Sequence, residues 1–287
     1  MPAGTLYLVA TPIGNLGDIS GRAAQTLSDA DFIAAEDTRV AIRLLNHLGI
    51  KKHIVSYHAH SGVQGEGRLL ARLLSGESCA LVTDAGTPAI SDPGEKLVSQ
   101  CALAGVDVVA VPGPCAAIAA LTVSGLPAGR FTFEGFLSTA KRSRQQHLDG
   151  LRAETRTMVF YEAPHKLLRT LRDLRCALGD RRVSISREMT KLHEQTLRAT
   201  LSDTVSYFEA NVPRGEFAIV IEGAPPPPPD SADMESAVES VNAYADAGMK
   251  LRDAAGRVSC ETGLPKNALY GAAQNSRSAA GDITRRD

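Results

Sequence analysis

The sequence contains no C-x-x-C pair, and its five cysteines (Cys79, Cys101, Cys115, Cys176, Cys260) are odd in number and widely spread. A disulfide framework is thereby excluded, a zinc or other metal site gains no support, and the cysteines read as thiols in a reducing compartment. No apolar run approaches the ~20 residues that a membrane span needs; the longest, Cys115–Val123, is too short. Met1–Asn15 has neither a basic start nor a signal-like cleavage region, so a cytoplasmic location is expected. Two nucleotide fingerprints are also missing. No G-x-G-x-x-G opens a helix and no G-x-x-x-x-G-K-[ST] occurs, which disfavours dinucleotide and nucleoside-triphosphate binding.

Charge is nearly balanced at −1, but unevenly distributed. Lys141–Arg198 holds 14 Lys/Arg against 7 Asp/Glu, leaving 17 basic against 25 acidic residues elsewhere. Such a basic middle is either a localised anion-binding face or a set of solvated helices with arginine-rich exteriors.

With 287 residues, 44% of them hydrophobic, the chain can bury a sizeable core in one large or two medium domains. Apolar runs at Leu6–Ala10, Phe32–Ala35, Cys79–Thr83 and Val106–Val111 predict buried strands. Helical segments at Arg22–Asp29, Val40–Leu48 and Glu95–Ala104 alternate with them, which argues for a mainly parallel sheet. The pattern restarts after a break at Gly125–Gly129. Strands are expected at Phe131–Phe136, Thr157–Tyr161, Val183–Arg187 and Phe217–Glu222, and helices at Arg144–Leu151 and His165–Leu178. The runs Thr196–Leu201 and Phe217–Ile221, read with no helix between them, suggest antiparallel pairing. Five prolines, Pro225–Pro229, predict a stiff spacer. Beyond it, Met234–Ala247, Leu251–Ser259 and Pro265–Gln274 read as helices, the last two resembling a helix-turn-helix. The expected organisation is an α/β domain over residues 1–126, a second over 127–224, a proline linker at 225–230, a helical domain over 231–275 and a disordered tail at 276–287.

Three loops share one position after a strand: Thr11–Asp18, Asp84–Gly94 and Pro112–Ala117. All are built from Gly, Pro and small residues, which let backbone groups approach a ligand closely. In open α/β sheets ligands bind beyond the carboxyl ends of the strands, so three such loops on one edge point to a site. Their low charge suits a nucleoside with a modest polar tail better than a polyphosphate.

The segments LYLVATPIGNLGDIS (from Leu6), AEDTR (Ala35), SYHAH (Ser56), LVTDAGTPAISDPG (Leu81), VPGPCA (Val111), FYEAPHKL (Phe160), SREMTK (Ser186) and RGEFAIVIEG (Arg214) occur in order between Gly4 and Gly223. Together they resemble the ribosomal RNA small subunit methyltransferase I family of the tetrapyrrole-methylase superfamily. The resemblance implies a class III methyltransferase fold of two α/β domains with a small C-terminal helical domain, S-adenosylmethionine in the cleft between the α/β domains, and a homodimer. It implies transfer of a methyl group to the ribose 2′-hydroxyl of a cytidine in the decoding region of 16S rRNA, with the small ribosomal subunit as partner. Carried over by position, Pro12, Ala85, Gly86, Thr87, Ile90, Cys115, Ala116, Tyr161 and Ala199 would contact the cofactor. The chain departs from the family's pattern at Ala59, Ser61, Cys115 and Ala199, where Glu, Asn, Ser and Gly are usual.

Methyl transfer from a sulfonium depends largely on positioning, and a ribose hydroxyl also profits from a general base. Glu36, Asp37, Asp84, Glu162, Glu188, His165 and Lys191 are the available groups, and Glu36 or Lys191 is placed nearest the 2′-oxygen. Asp84 reads equally as a loop-capping carboxylate, and Lys191 as a phosphate contact or a salt-bridge partner. Arg39, Lys141, Arg142, Arg144, His165, Lys166 and Arg187 are candidates for RNA phosphates. Tyr57, His58 and His60 are candidates for stacking, unless the tyrosine is a packed strand end. Two rivals remain at this level: a methyltransferase of the same superfamily acting on a tetrapyrrole or corrinoid precursor, and a non-enzymatic nucleic-acid-binding regulator.

Overall fold

Strand β1 (Thr5–Val9) is short and largely apolar, as central strands of a covered parallel sheet are. Helix α1 (Gly21–Asp29) follows, capped where Ser20 Oγ accepts the Ala23 N–H at 3.0 Å. Next come β2 (Phe32–Ala35) and α2 (Thr38–Leu48), the latter capped by Asp37 and ended by Gly49 at φ +69°. Then β3 (Ile54–Ser56), α3 (Gly62–Leu74), β4 (Cys79–Val82), α4 (Glu95–Leu103), β5 (Asp107–Val111) and α5 (Ala116–Val123) complete this half. The sheet order is β3-β2-β4-β1-β5, with every pairing parallel. All five strands therefore end on the same edge, and the loops after β1, β2, β4 and β5 gather there.

The computed structural model describes residues 2–58, 62–225 and 231–283, so Ala59, His60, Ser61 and all of the expected proline spacer except Pro225 lie outside the described residues. The chain divides into two compact units, Met1–Ala224 and Pro225–Asp287. The first holds the parallel sheet and a second, mixed one. The second sheet comprises β6 (Phe131–Phe136), β7 (Thr157–Glu162), β8 (Arg182–Arg187), β9 (Gln195–Thr200) and β10 (Phe217–Ile221) in the order β6-β7-β10-β8-β9. Only β6 and β7 pair in parallel; the other pairings are antiparallel. Helices α6 (Lys141–Gly150) and α7 (Pro164–Leu178) pack on it, and α7 buries Leu167, Leu171, Leu174 and Leu178 along one face. Each such leucine contributes about 1.5–3 kcal/mol of burial.

Two expectations need correction. A helix, α8 (Leu201–Ala210), does lie between the runs read as directly paired. Leu201, Thr204, Val205 and Phe208 recur at helical spacing, all buried, and Thr200 Oγ1 accepts the Asp203 N–H at 3.2 Å. The tail is not irregular from Ser276. In the second unit, α9 (Ser231–Asp246), α10 (Leu251–Thr262) and α11 (Lys266–Ile283) bury Val241, Ala254, Val258 and Leu269 between them. Arg277 pairs with Asp246 at 2.7 Å, fastening the extra turns of α11 to α9. Among the described residues, no helix is long and apolar enough to cross a membrane.

Candidate active site

Between the two sheets of the first unit lies a cleft of about 330 Å³. The β1 and β4 loops are tied into its wall by a two-residue antiparallel bridge: Thr11 N–H donates to Gly86 O at 2.8 Å, and Gly86 N–H to Thr11 O at 3.0 Å. Gly86 holds φ +87°, a conformation side chains resist. Thr87 Oγ1 then donates to Pro114 O at 3.0 Å, joining the β4 loop to the β5 loop. Gly113 lets the β5 loop close on the end of β1, since a Cβ there would stand 2.9 Å from Ala10 Cβ.

Ala85, Gly86, Thr87, Ile90, Cys115, Ala116 and Tyr161 all line this cleft, as do Glu36 and Lys191. Pro12 and Ala199 do not. At the first loop it is Ile13 that lines the cleft, one residue beyond Pro12. Ala199 stands on β9, at the far edge of the mixed sheet, whereas the cleft is walled by β7, β10 and the end of β8. Cys115 occupies the N-cap position of α5 without making a side-chain cap bond. Tyr161 takes over part of that duty: its hydroxyl oxygen accepts the Ala117 N–H at 2.8 Å. Burial, with the Cys115 thiol beside it, raises the Tyr161 phenol above its ordinary range.

The cleft is more acidic than its loops suggest. Glu36, Asp84, Asp92, Glu162, Glu188 and Glu216 line it, against Lys191 as the one basic lining residue. Thr83 Oγ1 donates to Glu36 Oε2 at 3.1 Å, which fixes that carboxylate. Asp84 Oδ1 accepts the Asp37 N–H at 3.0 Å, so Asp84 is a loop-capping group as well as a lining one. Asp37 itself faces Arg39, whose guanidinium and backbone N–H hold its carboxyl down at about 2. Lys191 Nζ pairs with Glu188 at 3.1 Å, and its stem lies where a Cβ on Gly14 would stand, 2.6 Å from its Cγ.

Asp92, which sequence reasoning passed over, has the clearest electrostatic signature. Burial pushes its carboxyl up to about 6, and the neighbouring Glu36, Asp84 and Glu216 push the same way. A carboxyl raised on folding takes stability away as pH climbs. Nothing is lost below pH 4, where both states are protonated; the loss grows to about pH 6 and then holds. Discounted for a half-buried group, it is on the order of 1 kcal/mol. Asp92→Asn should therefore be more stable than wild type by that amount at pH 8 and equal to it below pH 4, in urea unfolding at both pH values.

Strain concentrates here too. Ala89, Ser91, Glu188 and Thr190, the non-glycine residues with positive φ among those described, all line the cleft or adjoin a lining residue. Each costs of the order of 1–2 kcal/mol and persists only where its surroundings over-determine it. Thr190 N–H is held by Glu194 Oε2 at 2.9 Å, and Gly135 at φ +61° leaves room for the Ser91 hydroxyl.

Residues 5–205 match the family model of tetrapyrrole (corrin/porphyrin) methylases. A Synechocystis sp. protein named ribosomal RNA small subunit methyltransferase I is 49% identical over 268 residues, covering 93% of this chain and 96% of its own. A Halalkalibacterium halodurans protein of the same name is 45% identical, covering 93% of both chains. The chain belongs to the ribosomal RNA small subunit methyltransferase I family. The fold of this chain is also that of uroporphyrin-III C-methyltransferase from Thermus thermophilus, solved with S-adenosyl homocysteine. That likeness has a TM-score of 0.53 at 19% identity and covers 76% of this chain and 97% of that one.

The basic residues of this family member fall into two groups. Arg144 is turned inward, 6% exposed, with Nε 2.7 Å from Asp173 and Nη2 2.8 Å from Thr170 Oγ1, so it is no phosphate contact. Arg39 is bound to Asp37 at 2.6 Å, although its side chain is otherwise open. Tyr57 is 4% exposed in the core under the parallel sheet, and burial pushes its phenol up to about 12; it is a packed strand end. Lys141, Arg142, His58 and His165 are exposed, and Arg187 is half-buried against Gln195 at 2.9 Å. His60 lies outside the described residues. Glu216 was within sight in the RGEFAIVIEG segment, but nothing local marks it; only the pairing of β10 with β7 and β8 brings it to the cleft.

Proposed function

We propose that this chain transfers the methyl group of S-adenosylmethionine to the ribose 2′-hydroxyl of a cytidine in the decoding region of 16S rRNA, in the small ribosomal subunit and in the cytoplasm. The observation that carries the RNA reading is identity of 49% and 45% across 93% of the chain with proteins named for that reaction's class. The same observation favours RNA over a tetrapyrrole precursor, and the built cleft favours an enzyme over a binding regulator.

The residues present suit the cofactor. Ala85, Gly86 and Thr87 on one side and Cys115 and Ala116 on another bring backbone to the cleft wall, with Ile90 and Tyr161 as apolar surface. S-adenosylmethionine, when bound, supplies an electrophilic methyl group on a positively charged sulfur. Six carboxylates around one lysine favour a cation in the cleft and repel phosphates. The RNA backbone is thus kept outside while a single extruded nucleoside enters. In this reading Glu36, steadied by Thr83, takes the hydroxyl proton. Lys191, held by Glu188, is placed to face charge developing on the oxygen.

The test uses labelled S-adenosylmethionine and small subunits from cells lacking this methyltransferase. Wild type should label one ribose 2′-oxygen in the decoding region. The Glu36→Ala/Lys191→Ala double variant should slow single-turnover transfer by roughly a hundredfold; an unchanged rate would remove both residues from the chemistry. Label in a small molecule instead would favour the tetrapyrrole reading.

A homodimer is the second part of the reading. Helix α5 has apolar residues on all sides, yet Ile118 and Val123 stay exposed on it, and β5 at the sheet edge exposes Val109. In this reading a second copy of the chain covers part of these exposed apolar side chains.

A further inference from the structure

The acidic cleft leaves the RNA's phosphates without a holder, and the basic middle of the chain supplies fewer free cations than its count suggests. Seven of its fourteen basic residues are ion-paired: Arg144, Arg152, Arg156, Arg169, Arg172, Arg182 and Lys191. Arg181 and Arg198 are bonded to backbone carbonyls. Five remain, Lys141, Arg142, Lys166, Arg175 and Arg187, and of these Arg187 stands in a pocket. Its side chain donates to a neutral amide, Gln195 Oε1. It lines a second, outer pocket of about 360 Å³ together with Arg214, Tyr207, Asn211 and Val212. Neither guanidinium is ion-paired among the described residues.

This pocket adjoins the cleft through its own chain segments. Arg187 precedes Glu188, and Arg214 precedes Gly215 and Glu216; both glutamates line the cleft. The two segments touch where Gly215, at φ +80°, lies against the Glu188 carboxyl. A row of rings links the same two places. Tyr207 stands 5.0 Å from Phe208, and Phe208 5.7 Å from Phe217, which lines the cleft. Two like charges brought to one pocket repel each other unless an anion lies between them. Beside them the pocket offers an aromatic ring and Val212, an apolar side chain 77% exposed.

We propose that Arg187 and Arg214 form a phosphate subsite for the RNA nucleotide adjoining the one whose ribose enters the cleft, with Tyr207 and Val212 as the surface on which that nucleotide's sugar and base rest. This rests on the RNA reading above and states how the same substrate is held. It also accounts for the alternation of sign along both segments. The arginine holds the backbone outside, and the next acidic residue keeps it from following the nucleoside inward.

The test measures KM for small subunits lacking the modification, across a series of salt concentrations, for wild type and Arg187→Gln/Arg214→Gln. The double variant should raise KM roughly tenfold or more and flatten the slope of log affinity against log salt by about 1.4, the loss expected for two single-strand phosphate contacts. Its cofactor affinity by calorimetry and its unfolding midpoint should match wild type. Arg175→Gln, which removes one such charge on α7, should leave the slope as it is. An unchanged slope, or a KM that rises only together with lost cofactor binding, overturns the subsite. If the double variant does not fold, the exposed Arg214→Gln alone reads the same slope at half the size. No label transferred to RNA by wild type would remove the RNA reading and this subsite together, whereas transfer with unaltered variant kinetics removes the subsite only.

Discussion

The Arg144→Ala protein is expected to lose about 3 kcal/mol of stability while keeping the full salt dependence of its RNA affinity. Arg144 is the terminus of a buried chain of bonds rather than a surface cation. Its Nε meets Asp173 at 2.7 Å and its Nη2 donates to Thr170 Oγ1 at 2.8 Å. Thr170 Oγ1 passes the polarity on to Glu162 Oε2 at 2.6 Å. Glu162, 2% exposed, also accepts the Ala163 N–H at the start of α7. Breaking a fully buried pair by removing one partner costs about 3–5 kcal/mol. Asp173 is partly open to water, which places the cost near the lower bound. Lysine should restore little, because one ammonium cannot serve two acceptors set to a planar fork. Urea unfolding and a salt series on RNA binding check both halves. Wild-type unfolding with a shallower salt slope would return Arg144 to the phosphate contacts.

The same residue shows why part of the site was hidden in the sequence. A count of charge cannot say which way a side chain turns, but Arg144 shares helical spacing with Leu148 and Leu151, both buried, and that period was the available signal. The parallel sheet was easier. Its strands are short apolar runs, β1, β4 and β5 followed by loops rich in glycine and proline, and only β3 was passed over, being three residues long. Helix α5 gave no amphipathic period because it is apolar on all sides, and the start of α3 is diluted by Gly62, Gly65 and Gly67. In the cleft, the loops that approach a ligand with backbone were legible from their small residues. Of the acidic lining, Glu36, Asp84, Glu162 and Glu188 were among the groups named from the sequence, whereas Asp92 and Glu216 were not. Glu188 and Glu216 meet through the pairing of β8 with β10, and Asp92 joins them only because two separate sheets close around one cleft.

Gly86→Val should weaken S-adenosylmethionine binding by about thirtyfold. At φ +87° a β-branched residue is strained by roughly 2 kcal/mol. Relief requires the backbone to turn, and that turn breaks the reciprocal pair of bonds between Thr11 and Gly86, worth about 1 kcal/mol each. The variant bears whichever of the two costs less, about 2 kcal/mol in either case, or between one and two powers of ten at 1.4 kcal/mol each. Alanine separates the two contributions. Its Cβ would meet Ile13 Cγ2 at 3.5 Å, an ordinary contact, so only left-handed strain remains and a loss of about tenfold is expected. Calorimetric titration of both variants with S-adenosylmethionine, beside their unfolding curves, gives the comparison. A valine variant that binds as well as wild type would mean that the Thr11–Gly86 bridge does not shape the cofactor's seat, and the placement of Ala85, Gly86 and Thr87 against the cofactor would fall with it.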